Sequence, residues 1–405
     1  MSYYRNGVLT SMLNVVGSIV AIGIFSTLLI SNMGIEYYGV WSSIFILYGL
    51  ASFTDMGLTK AIILEKDIEK KKKVISSVVQ LSLVLSVPVI IIGFTVIYYL
   101  GYFDDVLTIL FLCFAIVFSM NAIGILKAIL ESNGKITAVN LTSLIQTILL
   151  YLASYLSYSL TAEVEIAAIG AALSSVFCMM LGFIFLNKKC KTKIEHLNFK
   201  EAIKYSNKGM KISVASIIHT AFQPLVRIFV TDISGSALAG VLDIYLKIAN
   251  AITSGLNSFS IPLLYRLVNS NRVNKNEKST INNLLLITIF STAIVVLFLN
   301  VYSETIFPIL NLDVEDYLHP IVIIVVCFGI KASVEPISRF MWVEERFLEY
   351  NIATIVILIA LFLIIFINKM TGGTIFLDQT GISYLISLPY LFSSMSFFLM
   401  FKLLR

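Results

Sequence analysis

Long apolar runs broken by short charged stretches dominate this chain, and they predict helices that cross a membrane. Twelve runs can be marked, at about 7–31, 39–63, 74–100, 106–130, 137–160, 165–187, 209–232, 237–264, 281–303, 317–341, 348–367 and 379–402. Each holds roughly 20 residues or more, which at 1.5 Å per residue spans a hydrocarbon core of about 30 Å. No run alternates apolar and polar positions as barrel strands do. The predicted class is therefore all-α and polytopic. No stretch between the runs is long enough for a separate soluble domain. The N-terminal run follows a single basic residue, Arg5, and is too long for a signal-peptide core, so it reads as a retained first span.

Polar residues inside the runs fall on helical faces. In 237–264 they are Asp243, Lys247, Asn250, Ser254 and Ser258, spaced 4, 3, 4 and 4, which places them on one side of a helix. The preceding run carries His219, Gln223 and Arg227 around Pro224, a candidate hinge. Ser11, Asn14 and Ser18 give the first run an uncharged stripe, and Asn121 with Lys127 marks the fourth. An intramembrane charge costs about 2.5–3.5 kcal/mol on insertion scales unless paired, hydrated or within reach of the interface. Arg227 lies about 7–8 Å from the end of its run, within snorkelling reach, and Lys127 is expected to reach the interface too. Lys247 lies about 15 Å in, near the midplane, and Lys331 about 21 Å from the outer side, still short of the inner interface. Each has an acid four residues away, Asp243 and Glu335. Two readings follow: self-neutralising pairs that pack the bundle, or a hydrated lumen that attracts an anion while its acids bind a proton or cation. Asp55, in Thr54-Asp55-Met56-Gly57-Leu58, is a further acid, with Lys60 close enough to pair with it.

Composition agrees. Hydrophobic residues make up 58% and charged residues 13%, against about 25% charged in soluble domains. The distribution of basic residues adds a direction. Segments 64–73, 188–208 and 265–280 are rich in Lys and Arg, whereas 32–38, 101–105, 161–164, 233–236 and 304–316 contain none; Lys369 is the exception. The positive-inside rule then places both termini in the cytoplasm. These basic runs read as orientation determinants on solvated loops rather than as nucleic-acid sites. Residues 199–208, with Phe199, Ala202, Ile203, Lys200, Lys204 and Lys208, have the pattern of a short amphipathic helix on an anionic leaflet. Cys113, Cys178, Cys190 and Cys327 lack metal spacing, the three histidines do not cluster, and no cofactor is implied.

A repeat divides the chain. Asn6-Gly7 is followed by Gly34-x4-Gly39-Val40, and Lys208-Gly209 by Gly235-x4-Gly240-Val241, with nearly equal offsets. The predicted organisation is an N-terminal six-helix lobe, 1–190, a cytoplasmic basic linker, 191–208, and a C-terminal six-helix lobe, 209–405, around a central cavity. No phosphate loop, Ser/His/Asp set or large outer loop supports an enzyme, and no recurring charged ring supports a channel.

Twelve spans in two lobes, the Gly34-x4-Gly39-Val40 turn, Thr54-Asp55-Met56-Gly57-Leu58 and the segment Glu304 to Pro320 resemble the Wzx-type polysaccharide flippases. These belong to the multidrug/oligosaccharidyl-lipid/polysaccharide (MOP) exporter superfamily. The resemblance implies a MATE-like fold and alternating-access transport of an undecaprenyl-diphosphate-linked oligosaccharide, an O-antigen or capsule unit, across the bacterial cytoplasmic membrane. Membrane lipid and the polysaccharide polymerase machinery are the implied partners. Arg227, Lys247 and Lys331, with Asn250 and Asn14, would line the lumen, and Asp55, Asp243 or Glu335 would couple an ion. Three cations against three acids depart from a strongly cationic cavity. A drug/cation antiporter of the same superfamily, with an acidic aromatic pocket, and a polysaccharide polymerase or ligase are the alternatives.

Overall fold

A computed structural model describes residues 2–55, 57–65, 67–189, 199–211, 213–257, 275–309, 314–371 and 378–403. The chain is built of α1 (Ser2–Ser42), α2 (Ile44–Ala51), α3 (Leu58–Leu64), α4 (Ile68–Leu100), α5 (Val106–Ser132), α6 (Ile136–Thr161) and α7 (Val164–Lys189). It continues with α8 (Phe199–Met210), α9 (Ser213–Asn257), α10 (Lys275–Ile309), α11 (Val314–Ser333), α12 (Glu335–Val343), α13 (Phe347–Met370) and α14 (Gln379–Leu403). No strand occurs among the described residues.

Among the described residues, ten helices are long and apolar enough to cross a membrane. Two of them, Leu13–Thr54 and Ala215–Thr253, run for 42 and 39 residues, about twice what one crossing needs. Each is broken by a glycine. Gly34 has φ 77° and ψ 162°, and Gly235 has φ 80° and ψ −178°. That combination belongs to glycine alone, because a Cβ would collide with the backbone. Each long helix is thus two spans joined at a sharp turn, which gives the twelve spans expected from the sequence.

Helix starts follow local chemistry. The Asp67 carboxylate accepts from the Glu69 and Lys70 amides at 2.9 and 3.3 Å and opens α4. Asp105 opens α5 in the same way, accepting from the Thr108 hydroxyl at 2.8 Å and from the Thr108 and Leu107 amides at 2.9 and 3.2 Å. These bonds, the Thr108 hydroxyl first, hold its carboxyl below the ordinary range.

The helices form two compact units, one of Met1–Gly39 and Phe229–Arg405, the other of Val40–Ile228. In the second, α7 packs on α5 and α6 through small residues: Ala167, Ala168, Ala171 and Ala172 are fully buried, and a Cβ on Gly170 would stand 2.9 Å from the Ala153 carbonyl oxygen. Tyr48 of α2 binds the Ser175 hydroxyl of α7 at 2.7 Å. In the first unit α11 packs on α10 and α14, and Ser393 of α14 donates to the Ala353 carbonyl of α13 at 2.9 Å. The two repeated turns meet there. A Cβ on Gly39 would overlap the Ser236 carbonyl oxygen, and one on Gly240 would lie 2.8 Å from the Ile35 carbonyl oxygen.

Gly235→Ala is expected to destabilise the protein by about 1–3 kcal/mol through backbone strain. Gly124→Ala, where an added Cβ meets nothing within 4 Å, should be neutral or mildly stabilising. Thermal unfolding of the purified variants in detergent checks both.

Candidate translocation site

The turn at Gly34 sends α1 back along itself, so Ser26 before the turn and Tyr38 after it approach the same part of α9. There Lys247 and Asp243 stand one turn apart, with Nζ 2.6 Å from Oδ2; their side chains are 10% and 0% exposed. The Tyr38 hydroxyl donates to the same Oδ2 at 2.8 Å. The Lys247 ammonium also donates to the Tyr38 oxygen and, at 3.1 Å, to Ser26 Oγ, and it lies 4.8 Å from the Tyr38 ring centroid. Of the two readings open for this pair, the geometry is that of the internal ion pair, completed by two hydroxyls from α1. A cavity of about 610 Å³ borders it, walled by aliphatic side chains of α1 and α9 such as Ile19, Ile24, Ile244 and Ile248, with Lys247 and Ser26 as its polar spot.

Lys331 differs. The helix breaks after Ser333, and Glu335 opens α12, where it binds Arg339 Nε at 3.1 Å. The i,i+4 ion pair of Lys331 with Glu335 does not form, because the carboxylate is taken by Arg339. Lys331 instead lies over two rings, its Nζ 3.7 Å from the Tyr390 centroid and 5.0 Å from that of Phe328. No carboxylate among the described residues forms an ion pair with it.

Arg227 belongs to the second unit. It is 7% exposed, donates to the Ser42 carbonyl at 3.4 Å and sits 5.4 Å from the Phe45 ring centroid. Burial against carbonyl and ring replaces the snorkelling its depth allows. Asp55 accepts from the Thr59 amide at 2.7 Å and hydroxyl at 2.9 Å, holding the start of α3, while Lys60 donates to Ser216 at 3.0 Å. Asp55 also lines a cavity of about 170 Å³ in this unit, with Ser82, Asn121 and Lys127. Lys127 does not run to an interface; it donates to Gln146 Oε1 of α6 at 3.0 Å.

Of the other expected lumen residues, Asn250 follows Lys247 by one turn of α9 and is exposed, whereas Asn14 accepts from Ser18 at 3.4 Å, roughly 18 Å along α1 from Ser26. The Ser254 side chain and Ser258 fall outside the described residues. Ser26 and Tyr38 carry no sequence signal of their own, since Ser26 adjoins Thr27 without continuing the stripe of the first run, and Tyr38 lies in the segment between the first two runs. The repeat held the signal: Ser26 and Arg227, and likewise Ser42 and Asp243, are 201 positions apart, as are Gly34 and Gly235.

The sequence pattern of a family described as polysaccharide biosynthesis protein matches residues 33–311, most of the chain. The chain belongs to this polysaccharide biosynthesis family. Its fold is that of the MATE transporters. A MATE in complex with MaL6 superposes with a TM-score of 0.73 at 12% identity, over 99% of this chain and 96% of that one. The Vibrio cholerae MATE transporter VcmN gives 0.69 at 12%, over 100% and 96%. An outward-facing multidrug resistance MATE transporter of the MOP superfamily gives 0.63 at 12%, over 99% and 95%. No curated protein sequence matches the chain. The chain thus combines the sequence pattern of a polysaccharide biosynthesis family with a MATE-like, multi-pass membrane fold.

Asp243→Asn leaves Lys247 buried beside a neutral partner and is expected to lose about 3–5 kcal/mol. The double variant Asp243→Asn/Lys247→Met should recover most of that loss. Thermal unfolding of the three proteins in detergent tests the pair, and equal losses in the single and double variants would contradict it.

Proposed function

We propose that this transporter is a flippase that carries an undecaprenyl-diphosphate-linked oligosaccharide from the inner to the outer leaflet of the bacterial cytoplasmic membrane. Alternating access is the proposed cycle, and a polysaccharide polymerase is the proposed consumer of the product. The family supports a saccharide cargo, and the one-sided Lys and Arg support cytoplasmic termini. One observation carries the reading further: the 610 Å³ cavity has aliphatic walls and meets its polar group at Lys247. That combination suits a polyprenyl chain beside an anionic headgroup. A drug/cation antiporter would favour an acidic, aromatic pocket, and here the acid nearest the cavity, Asp243, is already neutralised by Lys247.

In this proposal Lys331 and Lys247 meet the diphosphate, with Arg227, Asn250 and Asn14 as further cargo contacts. Asp243 is the favoured coupling acid, because its protonation would release Lys247 to an anion. Asp55 and Glu335 are second choices, since Asp55 holds Thr59 and Glu335 holds Arg339, neither of which lines the 610 Å³ cavity.

Reorientation of a lipid-linked oligosaccharide in reconstituted vesicles, without chain growth, is the expected outcome. Lys331→Ala should slow it tenfold or more while inserting normally, Lys247→Ala should slow it as much and also destabilise the protein by leaving Asp243 without its cation, and Lys331→Arg should retain more activity than Lys331→Ala. Wild-type rates in both alanine variants would remove the assigned cations. Chain growth would indicate a polymerase, and cation-driven drug uptake without lipid reorientation an antiporter.

A further inference from the structure

Helix α8 has three faces. Ala202, Ser206 and Gly209 are buried against α3 and α4, where the Ser77 hydroxyl donates to the Ala202 carbonyl and Lys73 Nζ lies 5.5 Å from the Tyr205 ring centroid. At 100° per residue, Phe199 and Ile203 fall 40° apart beside that buried face, and Lys200, Lys204 and Asn207 form the next strip. Phe199 is 63% exposed and Ile203 37%, and both lysines are exposed. A solvated linker accounts for the lysines but leaves a bare phenylalanine beside them unexplained.

The depth of α8 supplies the explanation. It touches α4 at Lys73 and Ser77, where that helix passes from the exposed lysines Lys70 and Lys73 to the buried apolar residues Val74, Ile75 and Val78. That transition marks a membrane–water boundary. An apolar strip there lies level with the upper acyl chains, and the lysines lie level with the phosphates.

We propose that α8 is an interfacial helix that binds anionic phospholipid. Phe199 and Ile203 enter the acyl layer, while Lys200 and Lys204, joined by Lys70 and Lys73 of α4, hold the headgroups. Charge complementarity selects this occupant: α8 carries Lys200, Lys204 and Lys208 against one acid, Glu201. The site lies outside the transport residues and does not depend on their role.

The test uses the full-length protein in lipid nanodiscs. The added emission of Phe199→Trp, over the wild-type signal of Trp41 and Trp342, should be quenched by lipids brominated near the headgroup and protected from aqueous iodide. Iodide quenching without bromine quenching would overturn the proposal. So would a signal that changes only with protein concentration, which would show a second copy covering the strip. In mixed phosphatidylglycerol/phosphatidylcholine discs, Lys200→Gln/Lys204→Gln should lower the preference for retained phosphatidylglycerol about tenfold at low salt, with the difference shrinking at high salt. An unchanged preference would remove the headgroup site, and the tryptophan readout in the same variant shows whether α8 still lies in the bilayer.

Discussion

Charge inside a hydrocarbon slab must be neutralised within the protein, and the ion pair of α9 shows how this chain meets that demand. Lys247 and Asp243 satisfy each other along one helix, and the hydroxyls of Ser26 and Tyr38 complete their hydrogen bonds from another. The arrangement ties both limbs of α1 to α9, so an electrostatic requirement also fixes where two spans sit. Hydrogen bonds between membrane helices average only about 0.6 kcal/mol. The value of this cluster lies in what breaking it would leave behind, a buried charge without a partner.

The sequence carried much of the fold. Run length gave the spans, the absence of period-2 alternation gave the helices, and the paired Gly-x4-Gly turns gave the repeat. Gly34 and Gly235 turned out to fold two long helices back on themselves, a detail that hydropathy alone cannot separate from a continuous span. The site was only partly legible. The i,i+4 spacing of Asp243 and Lys247 left a self-neutralising pair and a hydrated lumen both open, and the pair forms because both residues lie on unbroken helix. The same spacing gave no ion pair at Lys331 and Glu335, because Arg339, four residues further on, holds the carboxylate instead. Lys127 was misplaced for a different reason: depth gives the cost of a buried ammonium but cannot reveal a partner such as Gln146 on a neighbouring helix.

The repeat also connects sites that look unrelated. Ser26 and Arg227 are equivalent by the 201-residue shift, and so are Ser42 and Asp243. In one unit Ser26 lies by the Lys247–Asp243 pair, and in the other Arg227 lies on the Ser42 carbonyl. The same junction thus occurs twice, once as an ion pair and once as a guanidinium held by carbonyl and ring. The two copies of the sequence repeat thus carry different polar interiors.

The division into compact units has a consequence for biogenesis. Ser26 and Lys247 are separated by 221 residues, so at about 5–20 residues per second the first span waits roughly 10–45 s in the bilayer before its partner leaves the ribosome. During that interval its uncharged serine is tolerable to lipid, whereas a lysine there would not be. Placing both charges on the later helix, already matched to each other, lets this pair enter the bilayer together without exposing either member as a lone ion.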